Sequence, residues 1–157
     1  MKIQKQAEDV INKHIDKQKK RYMAKITINV NEVFGWGFNR SGVIGNGNSN
    51  NLSTPTFLFG DFEKLCAINF KNYGIKSDCT LWVWGCGNNF LGLGAGCTAD
   101  ITTPVQIPGI FVSDIFAGSH NTFAKVPNSN TYYVWGRNCF GELGIGNCTP
   151  VCVPTLT

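Results

Sequence analysis

Residues Tyr132 to Gly146 read YYVWGRNCFGELGIG, and the same phrase stands twice earlier: VFGWGFNRSGVIGNG from Val33 to Gly47, and LWVWGCGNNFLGLGAG from Leu81 to Gly96. Each box is an aromatic strand, a Trp-Gly dipeptide and a glycine-spaced turn that closes on Gly-x-Gly. Trp36, Trp84 and Trp135 set steps of 48 and 51 residues. A period of this size marks a repeat architecture, in which each repeat is one supersecondary unit that buries its faces against its neighbours.

The register holds outside the boxes. Gly47 to Pro55, Gly96 to Pro104 and Gly146 to Pro154 are all eight residues apart. Trp36 to Gly47 and Trp135 to Gly146 both span eleven positions, whereas Trp84 to Gly96 spans twelve, so the second box carries one inserted residue. Of the 18 glycines, 14 lie in the boxes. The fourth Trp, Trp82, precedes Trp84 by two residues and shares its strand face.

Composition bounds the rest. A chain of 157 residues with 43% hydrophobic content makes at most one ordinary domain with a packed core. It has no apolar run of membrane-spanning length and no apolar N-terminal segment of the secretory kind, so neither a span nor secretion is expected. The seven cysteines (Cys66, Cys79, Cys86, Cys97, Cys139, Cys148 and Cys152) form no Cys-x-x-Cys pair, and there are two histidines. A metal site is therefore not expected. Free, packed thiols in a reducing compartment, cytoplasmic or nuclear, are the simplest account.

The net charge of +4 is uneven. Residues 1–25 carry +5, and the remaining 132 residues carry −1. The repeat body gives no electrostatic reason to bind nucleic acid. The leader, residues 1–25, has Ile3, Ala7, Val10, Ile11 and Ile15 on one helical stripe, which predicts a basic amphipathic helix that packs on the body. A coiled-coil or membrane-surface helix is the sharper alternative. The run Lys17 to Arg21 reads as a solvated helix end, with nuclear import or phosphate contact as alternatives.

From residue 26 to 157 the pattern is that of strands. Ile26 to Val30 alternates with period two. Further strands are predicted at Lys64–Ile68, Tyr73–Lys76 and Thr80–Trp84, and again at Val112–Phe116, Thr122–Val126 and Thr131–Trp135. A short strand is expected near each box's proline. Four short antiparallel strands per fifty residues describe a propeller blade, and no helical crossover fits a parallel sheet. Gly37, Gly85 and Gly136 each follow a large aromatic, where a Cβ would crowd neighbouring backbone. The Gly-x-Gly pairs supply positive φ in tight loops. A phosphate cradle would need a helix after the loop, and none follows any box.

The phrase Trp-Gly-x-Asn-x-x-Gly-x-Leu-Gly-x-Gly resembles the signature of the regulator of chromosome condensation repeat. Trp135, Gly136, Asn138, Gly141, Leu143, Gly144 and Gly146 match every fixed position. Trp36, Gly37, Asn39, Gly42, Gly45 and Gly47 match with Ile44 in the Leu slot. The second box keeps Trp84, Gly85, Gly94 and Gly96 but has Gly87 where Asn is usual. Ala117-Gly118-Ser119-His120 is similar to the family's Ala-Gly-x-x-His element, and Asp78 to Gly85 to its hairpin. The first interval instead reads Ala67-Ile-Asn-Phe-Lys-Asn-Tyr73. The Gly-Gly doublet of kelch repeats and the Trp-Asp of WD repeats do not occur.

The resemblance implies an all-β fold: a partial β-propeller of two to three four-stranded blades, drawn from a family whose usual propeller closes with seven. An arc of that size exposes blade faces and strand edges, which self-association, the N-terminal helix or a partner would cover. The function it implies is a non-enzymatic protein-interaction module with no cofactor. The alternative is guanine-nucleotide exchange on a Ran-type small GTPase, or a remnant of that activity. A conventional enzyme is not expected. His120 falls where the family's repeat histidine is structural, which predicts a hydrogen-bonded core residue. Glu63, Asp78, Asp114 and Glu142 are scattered with no acid/base pairing.

Overall fold

The structure, a computed structural model, describes residues 25–29, 32–87 and 99–157. The expected N-terminal helix, the run Lys17 to Arg21, Gly94 and Gly96 lie outside the described residues. Among the described residues eleven strands form three antiparallel sheets. The first holds β1 (Lys25–Asn29), β2 (Glu32–Gly37) and β3 (Leu52–Gly60). The second holds β4 (Phe62–Ile68), β5 (Lys71–Lys76), β6 (Thr80–Gly85) and β7 (Ile101–Phe111). The third holds β8 (Asp114–Ala117), β9 (Asn121–Lys125), β10 (Tyr132–Gly136) and β11 (Val151–Leu156). Each sheet is one blade, and in the second and third the strands meander in sequence order.

The strands near the prolines are longer than the short segments expected: β3 has nine residues and β7 eleven. They are the free edges of their sheets, and Pro55, Pro104 and Pro154 lie in these edge strands, where a missing N–H costs no ladder bond. The pairing with the edge strand slips at the same place in every blade, between Gly35 and Gly37, between Val83 and Gly85 and between Val134 and Gly136. Each slip brackets the box tryptophan. A bulge there bends the strand and sharpens its twist as it enters the glycine turn.

Blade faces follow from the cross-strand rows. In blade 2 one row is Cys66, Tyr73 and Val83 and the next is Ala67, Asn72 and Trp84. In blade 3 the matching rows are Phe116, Phe123 and Val134, and Ala117, Thr122 and Trp135. Successive residues of a strand point to opposite faces, so the tryptophan row of a blade faces the blade before it and the other row faces the blade after it. Tyr73 accordingly meets Trp135 edge-on with ring centroids 5.8 Å apart, and its hydroxyl hydrogen-bonds Thr122 Oγ1 at 3.2 Å. Ile75, Leu81, Val83, Ile107, Val112, Ile115 and Ala124 complete this core. Between blades 1 and 2, Trp84 is fully buried and stands edge-on to Phe59 with centroids 5.4 Å apart. Large aromatic rings carry both junctions, which suits surfaces that must bury much area with few residues. Lys64 reaches Asp114 at 3.1 Å between β4 and β8, an exposed pair of small energetic weight.

Candidate protein-interaction face

The box loops are built around one side chain. Asn39 is fully buried. Its Nδ2 donates to Asn46 Oδ1 at 3.0 Å and to the carbonyls of Asn48 and Asn50 at 2.9 and 3.0 Å, while Oδ1 accepts from the Ile44 amide at 2.8 Å. Asn138 repeats the arrangement: Nδ2 donates to the carbonyls of Asn147 and Thr149, and Oδ1 accepts from Leu143 N at 2.9 Å. An amide side chain offers donors and an acceptor together, so one Asn satisfies both ends of a loop that has no ladder partners. In the second box Gly87 cannot do this. Its amide donates to Asp100 Oδ1 at 3.0 Å, as Asn39 N donates to Asn51 Oδ1 at 2.8 Å. That amide is the main reason the Asp100 carboxyl is held below the usual range.

In blades 2 and 3 the residue after Trp-Gly lies beside the turn that joins the first two strands of the blade. Cys86 N donates to the Phe70 carbonyl at 2.7 Å, and Arg137 N donates to the His120 carbonyl at 2.8 Å. Gly85 and Gly136 make this contact possible. Their φ values are 115° and 120°, and a Cβ on either would strike the same Phe70 or His120 carbonyl. Phe70 and His120 are thus equivalent, which places Ala67-Ile-Asn-Phe in register with Ala117-Gly-Ser-His. The sequence departure in the first interval leaves the turn intact because the turn is used through its carbonyl. The expectation for His120 is corrected on the same ground: its side chain is exposed, not part of the core, and its backbone makes the structural contact.

These elements gather side chains at one end of the arc. Phe38 packs edge-on against Phe70 with centroids 6.3 Å apart, and Phe70 is 45% exposed. Asn69 Nδ2 donates to Ser119 Oγ at 2.7 Å and ties the turns of blades 2 and 3 together. Beyond His120, the Arg137 guanidinium lies over the Phe140 ring at 5.2 Å and bonds Glu142 at 3.2 Å. Phe140, at the loop tip, is 81% exposed. The amide of Phe140, with help from Arg137, lowers the Glu142 carboxyl below its usual range. Exposed aromatic rings beside an arginine are the composition of an interaction surface. The sequence reading missed Phe38, Phe70 and Phe140, because a lone exposed aromatic has no periodic signature.

The other signature residues divide between roles. Gly45 lies against the Trp84 indole, where a Cβ would meet Nε1 at 2.8 Å, and Gly42 lies against Thr102. Gly37, Gly47, Gly141, Gly144 and Gly146 all have positive φ. Gly118 sits against Asn121 in the β8–β9 turn. Leu143 is buried, as is Ile44 in the equivalent slot. Trp36 is half-buried, in contrast to Trp84 and Trp135. Among the described residues no three His, Cys, Asp or Glu side chains form a metal-binding group, and no helix is long and apolar enough to cross a membrane.

Comparison with known proteins agrees with this geometry. No family model matches the chain. The chain is 33% identical over 134 residues to the Ultraviolet-B receptor UVR8 of Arabidopsis thaliana, a match covering 78% of the chain and 29% of the receptor. It is 32% identical over 133 residues to the X-linked retinitis pigmentosa GTPase regulator of Homo sapiens, covering 79% of the chain and 13% of that protein. The structure superposes on human WBSCR16 with a TM-score of 0.71 at 21% identity, covering 85% of the chain and 35% of that structure. It superposes on Prp20p of Saccharomyces cerevisiae with a TM-score of 0.69 at 18% identity, covering 87% and 38%. These relatives share the repeat whose boxes are described above, and the chain belongs to the regulator of chromosome condensation repeat family. It spans under a third of the curated relatives' length.

Proposed function

We propose that the chain is a non-enzymatic protein-interaction module whose binding surface is the end face bearing Phe38, Phe70, Arg137 and Phe140. One observation carries the reading. At this end of the arc the turns and box loops hold Phe70, 45% exposed, and Phe140, 81% exposed, out to solvent, and Phe140 stands beside the Arg137 cation. Clusters of this kind, with aromatic and Arg anchors, supply most of the binding energy of protein interfaces. Its setting is an intracellular, reducing one, in keeping with six described cysteines that are free.

Proximity labelling with the wild-type chain and with the double variant Phe70→Ser, Phe140→Ser tests it. The expected result is a set of proteins lost in the variant while its circular dichroism and melting temperature stay unchanged. Identical sets with both chains reject this face.

A second reading is nucleotide exchange on a Ran-type GTPase. It rests on the family resemblance and on Prp20p, whose structure is described with its binding properties to Gsp1p and histones. Release of labelled nucleotide from such a GTPase no faster than in buffer rejects it.

A further inference from the structure

The end face carries one side chain that is held in place and still has bonding capacity to spare. Arg137 Nε donates to Glu142 Oε1 at 3.2 Å, and the guanidinium carbon lies 5.2 Å from the centre of the Phe140 ring. Its backbone is fixed as well, by the bond from Arg137 N to the His120 carbonyl. A guanidinium has five N–H donors, and Nε uses one. The terminal nitrogens Nη1 and Nη2 have no partner among the described residues. The side chain is 39% exposed.

Glu142 is what orients this fork. Its Oε1 takes Arg137 Nε while its Oε2 accepts the Phe140 amide at 2.8 Å, so both carboxylate oxygens are engaged inside the loop. The carboxylate of Asp100, in the box of blade 2, is likewise taken up by local donors, the Gly87 amide first. Lys71 adds a cation that is not opposed in this way. It follows Phe70 directly, and its buried Nζ has no hydrogen-bond partner among the described residues. The two carboxylates are thus spent within the box loops, whereas two cations keep donors in reserve.

We propose that the partner of this face is a protein segment with an acidic side chain beside an aromatic or large aliphatic one: the carboxylate accepts from Nη1 and Nη2 of Arg137, and the apolar neighbour rests on the Phe140 ring. The inference rests on the end-face reading above and narrows it to one partner chemistry. Charge complementarity selects the acid, and the planar fork selects a carboxylate in particular, because two parallel N–H donors match its two oxygens. Glu142 and Phe140 already hold the fork, so little freedom is lost when it binds.

Selection of peptides from a random display library on the whole chain, followed by fluorescence polarisation with the selected peptides, tests the proposal. The peptides are expected to carry Asp or Glu next to an aromatic or aliphatic residue. Exchanging that acid for Asn or Gln should weaken binding about tenfold or more, and Arg137→Met on the chain should do the same. The two losses should not add, because they remove the same contact. Arg137→Lys, which keeps the charge without the fork, should restore only a small part of the affinity. Circular dichroism verifies that both variants keep the fold. Selected peptides without an acid, or acidic peptides whose affinity ignores Arg137, overturn the inference. If Phe70→Ser, Phe140→Ser still weakens those peptides, the end face stands with a different partner chemistry. Peptides indifferent to every one of these substitutions reject the end face and this inference together. A library that yields no binder also overturns the inference, since a fork and ring fixed in advance engage their ligand through local contacts that a short peptide reproduces.

Discussion

The Oδ1 atom of Asn138 accepts the Leu143 amide at 2.9 Å, and this single bond sets the inward side of the box loop. With Nδ2 engaged by two carbonyls, the side chain replaces the backbone ladder that the loop lacks. Asn138→Ala leaves a buried amide and two carbonyls without their partner. Urea denaturation should show a loss of about 2–4 kcal/mol. Asn138→Asp should lose more than Asn138→Ala, because it puts a carboxylate against carbonyl oxygens.

Gly136 and Gly109 both have positive φ, 120° and 72°, but only Gly136 is in contact with a carbonyl, that of His120. Gly136→Ala should therefore destabilise the chain by about 3 kcal/mol or more, through the backbone shift it forces. Gly109→Ala meets open space and should cost about 1 kcal/mol, the conformational penalty alone. Equal losses in the two melting curves would contradict the close approach at Gly136.

Lys71 gives the chain a pH dependence. Its side chain is 7% exposed, its Nζ has no hydrogen-bond partner among the described residues, and burial lowers its pKa from 10.5 to about 8. Between those values the unfolded chain binds the proton and the folded chain does not. Stability therefore rises with pH from about 8 to 10.5, and the full cost of burying the charge is present below 8. Lys71→Met should raise stability at pH 7 by about 2–3 kcal/mol, and the gain should shrink by pH 10. Denaturation at the two pH values measures the difference between variant and wild type.

Trp84 and Trp135 are fully buried, whereas Trp36 is half-buried. Trp84→Ala and Trp135→Ala should each cost about 3–5 kcal/mol. Trp36→Ala should cost clearly less in dilute solution. Equal losses at all three positions would mean that the flank of blade 1 is as closely covered as the internal junctions.

The strands were legible because their alternation and the fixed spacing of Trp-Gly to proline are properties of the chain itself. β5, β6, β9 and β10 fall within two residues of the segments read from the sequence. β3 and β7 were read too short, since an edge strand with a proline lacks the alternation by which strands are recognised. The loop hub was legible in two of the three boxes, as Asn39 and Asn138. The bond of Asp100 to the Gly87 amide, the counterpart of that of Asn51 to Asn39, was not, because the carboxylate reaches Gly87 across thirteen positions of the chain. His120 was misread because a motif records which residue recurs and not which of its atoms is used.

By itself the sequence determined the repeat, its period, the strand-turn grammar of each blade and the glycines that the turns require, because all of these are set by short-range sterics and hydrogen bonding along one segment. Only the tertiary structure decided which flank of a blade each ring faces, that Lys71 is buried with its amine unpaired among the described residues, and that Phe38 and Phe70 from different blades meet at one end. Those outcomes depend on the twist and stacking of whole blades, where residues far apart in the chain come into contact, and no local pattern encodes that distance.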